Sequence, residues 1–176
     1  LIEDLLTISK LESGQAIMNL QAVSLAEICG RVIEDLRQLA DKRDIQIVSN
    51  LNPQIQVEAD SSRLQQVFFN LVDNAIKYGR KGGRVEITGQ PTGEGLVKVC
   101  VSDDGPGIPP EARERVFERF YRVDKARSRE QGGTGLGLAI VKHIIQAHHG
   151  EVWVESEAGR GAGFCFTVPE HRRNHS

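Results

Sequence analysis

The chain has 176 residues, 39% of them apolar and 26% charged, with a formal charge of −2 at neutral pH. That is enough chain for one ordinary core, while the charge balance argues against a general binder of nucleic acid. The sequence carries neither an apolar run of about 18 residues nor a leader pattern, so no membrane contact is expected of this stretch. Cys29, Cys100 and Cys165 are odd in number, far apart and set among apolar neighbours. They read as reduced core thiols, and not as disulfides or metal ligands, which fits a cytosolic setting.

In chain order, residues 1–13 form an amphipathic pattern that stops at Gly14, with apolar residues that have no partner helix upstream. A linker is expected around residues 14–24, then a helix at 24–43 and strands at 45–50 and 56–59. The helix expected at 61–79 gathers Leu64, Val67, Phe68, Leu71, Ala75 and Ile76 on one side and Asn70, Asn74 and Lys77 on another. Two asparagines four apart cost helical propensity unless their amides find partners. Mg²⁺, which takes oxygen ligands and keeps several waters beside substrate phosphates, is one such partner, with Lys77 for the phosphates. The same residues also suit a plain solvated face.

Strands at 84–90 and 96–102 read as hairpin neighbours, and the second delivers DDGPGIP, beginning at Asp103, to a loop. Gly105 and Gly107 permit close backbone approach to a flat ligand, and the Asp103 carboxylate suits the exocyclic amine of adenine. A simple turn has the same signature. A helix is expected at 110–119, leading into FERFYRVD from Phe117 and a charge-rich stretch that ends at Gly133. GGTGLGLAIVK from Gly132 then opens a helix at 135–149, with Thr134 as its cap. Backbone N–H groups at a glycine-rich helix start suit phosphate. The block has neither the Lys-Ser or Lys-Thr of a P-loop nor the spacing of a dinucleotide fold. Strands at 151–156 and 163–168 close the pattern. The interleaving implies a two-layer α/β sandwich with a mixed, largely antiparallel sheet and helices on one face, preceded by a helical stub.

These blocks, in this order over roughly residues 22–169, resemble the ATP-binding domain of sensor histidine kinases of two-component systems. GRGAGF from Gly159 is similar to the family's trailing glycine element, with Ala162 where Thr or Ser is common. The resemblance implies that Asn74 ligates Mg²⁺ with Asn70 beside it, Lys77 meets phosphate and Tyr78 lines the nucleoside. It implies that Asp103 reads adenine, that Gly105, Gly107 and Ile108 shape the base pocket, and that Thr134, Gly135, Leu136, Gly137 and Leu138 hold phosphates. Residues 117–133 would be the lid, with Tyr121 on the ribose side, Arg122 ahead of Arg119 for the phosphates, and Phe117 and Phe120 either anchoring the lid or touching ligand. Asp104 stands where many relatives have Asn, adding negative charge near the base. Gln65 and Gln66 stand where some relatives carry His-Glu.

The fold also resembles gyrase, mismatch-repair and heat-shock chaperone ATPases, in which a Glu one turn before the metal Asn activates water. Here that position is Asn70, which disfavours hydrolysis and implies transfer to another nucleophile. No histidine has the family's phosphoacceptor context; His143, His148, His149, His171 and His175 read as exposed or capping imidazoles. Residues 1–20 therefore resemble the end of the second helix of the dimerisation and phosphoacceptor hairpin plus linker, 21–170 the ATP domain, and 171–176 a polar tail. The implied cofactors are ATP and Mg²⁺. The implied partners are that hairpin, in the same or a partner subunit of a homodimer, and a response-regulator receiver domain. The fragment would be cytoplasmic, the parent anchored in the bacterial membrane. A non-catalytic ATP-gated interaction module and a hydrolysing clamp ATPase remain the alternatives.

Overall fold

The structure is a computed structural model that describes residues 2–14, 17–122, 135–156 and 161–171. Its main sheet has the order β2-β4-β5-β7-β6, built from β2 (Gln46–Ser49), β4 (Arg84–Pro91), β5 (Leu96–Asp103), β6 (Val152–Ser156) and β7 (Ala162–Pro169). Only β2 and β4 run parallel; the other pairs are antiparallel, so the sheet is mixed as expected. Period-two alternation sends Val85, Ile87, Val97, Val99, Val101, Phe164, Phe166 and Val168 into one interior. There they meet α2 (Leu25–Lys42), α3 (Ser61–Tyr78) and α4 (Gly137–Ala147). Phe68 of α3 packs edge-on to Phe166 with ring centroids 5.7 Å apart. Burying each such side chain contributes roughly 1.5–3 kcal/mol.

Two expected elements and the cysteine reading need correction. The end of the linker is a strand: β1 (Leu20–Ser24) pairs antiparallel with β3 (Gln56–Asp60) in a separate two-stranded sheet. The sequence LQAVS is too short and too exposed to show an alternating signal. No helix fills 110–119; Pro110–Ala112 and Arg115–Phe117 are single 3₁₀ turns. Pro109 and Pro110 lack N–H donors, and only Ala112, Val116 and Phe117 reach the core, so no continuous apolar stripe supports a longer helix. Finally, Cys100 and Cys165 are direct cross-strand neighbours of β5 and β7, joined as a disulfide. Only Cys29 is a free, buried thiol, pushed up to about 12 by burial against an opposing hydrogen bond with Ser49.

The first helix, α1 (Ile2–Glu12), does find a partner. Ile8 is buried against the common core and Leu11 packs on it, while Ile2, Leu5 and Leu6 stay exposed. Glu12 pairs with Arg119 and lies 3.3 Å from Nε2 of His143 on α4. Among the described residues no helix is long and apolar enough to cross a membrane.

His148 departs from the expectation of an exposed or merely capping ring. It is buried; its Nδ1 meets the Ile144 carbonyl at 2.8 Å, and its Nε2 accepts the Asp60 N–H at 3.0 Å. Asp60 in turn caps α3 by accepting from Arg63 N–H at 3.1 Å, so one imidazole ties the end of α4 to the start of α3. Burial lowers the His148 pKa below 6.5, against the opposing Ile144 carbonyl and Asp60. His143 is lowered too, by burial first. The unfolded chain then takes up a proton near pH 6.5 that folded His148 resists, so stability is complete above that pH and falls as pH drops below it. In urea unfolding between pH 5 and 7, His148→Leu is expected to be about 1–3 kcal/mol less stable at pH 7, having left the Asp60 N–H without its acceptor. It should also show a shallower loss toward pH 5 than the parent. Parallel pH profiles would rule out a buried neutral His148.

Candidate functional site

The inward row of β5, Val97, Val99 and Val101, ends in Asp103, so alternation alone aims a carboxylate at the helices. Asp103 is only 9% exposed, and its Oδ1 accepts the Gly105 N–H at 2.9 Å and the Ala162 N–H at 3.4 Å. The backbone crowds it closely. A Cβ on Gly105 would lie 2.4 Å from the Tyr78 carbonyl oxygen, and one on Gly161 would lie 2.0 Å from the Asp103 carbonyl oxygen. Gly107 has φ 82, beyond which Ile108 donates its N–H to Ser156 Oγ at 2.8 Å and packs on the core. Asp104 faces away from this group: its carboxylate accepts from Arg80 N–H at 3.4 Å and Arg84 N–H at 3.0 Å. Its carboxylate thereby holds the loop after α3 and the start of β4.

The last two turns of α3 form the second wall, with Asn70, Asn74, Lys77 and Tyr78 half-buried. Asn70 donates its amide N–H to the Gly137 carbonyl at 3.2 Å, and Lys77 Nζ pairs with Asp73 at 3.0 Å one turn back. Gly79 ends the helix so close to β5 that its Cβ would lie 3.6 Å from Asp103 Cβ.

The start of α4 is the third wall. The helix begins at Gly137 with Leu136 as N-cap and no side-chain cap; Thr134, expected in that role, lies outside the described residues. Leu136 is fully buried, and Leu138 packs on the core. Gly135, at φ 78, accepts the Phe120 N–H at 2.9 Å, and a Cβ on it would lie 2.8 Å from Phe120 Cα and 3.4 Å from Arg122 Nε. Thus the segment after Phe117, expected to begin a lid, is joined through Phe120 to Gly135 just before α4, while residues 123–134 lie outside the described residues.

Four sequence blocks, NLVDNAIKYG at the end of α3, DDGPGIP, FERFYRVD and GGTGLGLAIVK, therefore converge through backbone and amide contacts among their described residues. Some neighbours do other work. Phe117 is buried edge-on to Phe164 at 6.2 Å and anchors the segment, whereas Phe120 is 55% exposed. Arg119 is engaged by Glu12, and Tyr121 carries the Arg115 guanidinium 4.6 Å above its ring. Gly79, Asp73, Ser156 and Gly161 belong to the site's frame without having been assigned a role from sequence; Asp73 and Gly79 lie in NLVDNAIKYG and Gly161 in GRGAGF, while Ser156 carried no signal.

This geometry is matched by known proteins. The family model described as histidine kinase-, DNA gyrase B-, and HSP90-like ATPase matches residues 59–172. The chain belongs to this family. It is 39% identical over 171 residues to sensor histidine kinase WalK of Bacillus subtilis, covering 96% of this chain and 28% of WalK. Full-length ShkA, crystallised in complex with AMPPNP, superposes with TM-score 0.86 at 33% identity over 98% of this chain and 35% of ShkA. The mycobacterial sensor histidine kinase MprB gives TM-score 0.76 at 33% identity over 88% of this chain and 99% of that structure. The chain spans less than half the length of the curated relatives it matches, 28% of WalK and 44% of SenX3 from Mycolicibacterium smegmatis. Within this family the fold is an ATP-binding one, and the residues present fit an adenine nucleotide. The Asp103 carboxylate is an acceptor of the kind an exocyclic amine needs, and the paired asparagine amides are oxygen donors of the kind Mg²⁺ takes.

Gly161→Ala should be destabilising by roughly 2–4 kcal/mol, because φ 92 and the Asp103 carbonyl both oppose a side chain. Urea titration would show a lower midpoint at unchanged slope. Retention of the parental midpoint would mean that the Asp103 loop relaxes freely.

Proposed function

We propose that this chain is the ATP-binding half of a sensor histidine kinase. It binds Mg-ATP and donates the γ-phosphoryl group to a histidine on a dimerisation hairpin of the same or a partner subunit, for relay to an aspartate of a response-regulator receiver domain. The observation that carries this reading is the amide at Asn70. Its N–H is directed to the Gly137 carbonyl, and an amide takes no proton from water at neutral pH. A pocket with no base at that position holds ATP for a nucleophile other than water.

In this reading Asp103 accepts the exocyclic amine of adenine, Gly105, Gly107 and Ile108 shape the base site, and Tyr78 and Tyr121 flank the nucleoside. Asn74, with Asn70 beside it, offers amide oxygen to Mg²⁺, which when bound neutralises phosphate charge. Lys77 exchanges Asp73 for phosphate. Arg122 and the backbone N–H groups from Thr134 through Leu138 take the remaining phosphoryl oxygens at the start of α4. Positioning and charge neutralisation are most of what phosphoryl transfer asks of a protein. Residues 1–20 are the end of the hairpin's second helix plus linker, 21–170 the ATP domain and 171–176 its tail. The intact protein is a homodimer anchored in the bacterial membrane, with this part on the cytoplasmic side.

Incubating the chain with γ-labelled ATP and a separately made hairpin containing its histidine is expected to label the hairpin, with little phosphate release by the chain alone. An unlabelled hairpin with ATP binding intact would favour an ATP-gated interaction module, and rapid phosphate release a hydrolysing ATPase. Asp103→Asn should weaken ATP about 10- to 100-fold and erase its preference over GTP; unchanged base selectivity in a titration would refute the adenine role. Asn74→Ala should abolish Mg²⁺-dependent tightening, and calorimetry that finds the same magnesium effect would move the metal elsewhere.

A further inference from the structure

We propose that Arg43 is a positioning residue for the nucleotide site. It sits outside the four sequence blocks, at the C-cap of α2, and its backbone is fixed there. Its N–H donates to the Ala40 carbonyl at 3.1 Å, and its carbonyl accepts from Gly82 N–H at 2.9 Å. Its half-buried guanidinium crosses to the C-terminus of α3 and donates to the carbonyls of Ile76, of Lys77 at 2.6 Å and of Gly79 at 3.0 Å. These carbonyls belong to the end of the helix that lacks intrahelical donors and carries partial negative charge. One planar cation answers three of them, a task suited to the guanidinium fork.

The held turn is the one from which Lys77 and Tyr78 project, and it fixes more than those two. The Tyr78 carbonyl lies where a Cβ on Gly105 would come within 2.4 Å, and Gly79 stands close against Asp103. The α3–β4 loop is gripped from the other side by the Asp104 carboxylate on the Arg80 and Arg84 N–H groups. Arg43 thus seats the end of α3 on β5, so that the base side and the phosphate side of the site keep one spacing. Arg43 touches no reacting atom; it acts through α3.

The inference rests on the ATP reading above, and its test separates the two. The full chain is titrated calorimetrically with a non-hydrolysable ATP analogue and Mg²⁺, in the parent, Arg43→Met, Arg43→Lys and Val32→Ala. The last variant is a purely apolar deletion in the α2 core, where Val32 is fully buried. Arg43→Met is expected to raise Kd about tenfold, equivalent to ~1.4 kcal/mol. Arg43→Lys, which keeps the charge and some donors, should raise it about threefold. Val32→Ala should leave Kd unchanged although its melting temperature falls. Arg43→Met binding within twofold of the parent would overturn the inference, as would equal weakening by Val32→Ala, which would reduce the effect to general stability. A parent that fails to bind the analogue would instead overturn the ATP reading, recognisable because all four proteins then behave alike.

Discussion

Asp103 is a carboxylate placed at the end of an apolar row, and the site is organised around the cost of keeping it there. A buried charge is tolerated only with hydrogen-bond partners in place. Here the partners are backbone N–H groups, from Gly105 in the loop that follows and from Ala162 at the start of β7. The turns that carry these donors close tightly on their neighbours: a Cβ on Gly105 would strike the Tyr78 carbonyl oxygen and one on Gly161 the Asp103 carbonyl oxygen. The end of α3 at Gly79 closes the third side. One polar requirement thus draws β5, β7 and α3 to a common point, and the remaining groups are arranged around it.

Much of this was legible in the sequence, for a physical reason. Alternation in LVKVCVSD and the three-to-four spacing of Leu64, Val67, Phe68 and Leu71 are burial patterns, and burial is what the fold is made of. The glycine-rich blocks were legible because glycine is chosen for what its neighbours exclude. The failures share the opposite property. Nothing local in LQAVS announces β1, whose partner lies far along the chain. The helix expected after Pro110 satisfied composition but lacked a stripe. Cys100 and Cys165, 65 residues apart, become neighbours only through strand order.

Polar groups that act at a distance were the least legible. Arg43, His148 and Asp104 each bind backbone atoms of another element. Backbone acceptors and donors have no identity in a sequence, so such bonds leave no motif at the receiving end. Yet these side chains brace both ends of α3, from which Asn70, Asn74, Lys77 and Tyr78 of the candidate site project.

The cross-strand sulfur pair has a bearing on recognition that its distance from the pocket conceals. A strand repeats every two residues, so a pairing error has no small form: a slip of one residue exchanges the faces entirely. Such a slip of β5 against β7 would turn Asp103 outward and bring Ser102 or Asp104 into the interior. A covalent tie between Cys100 and Cys165 fixes that parity in chemical bonds. The choice of which residue faces a ligand is then made three residues upstream of the loop, before any glycine or ligand takes part.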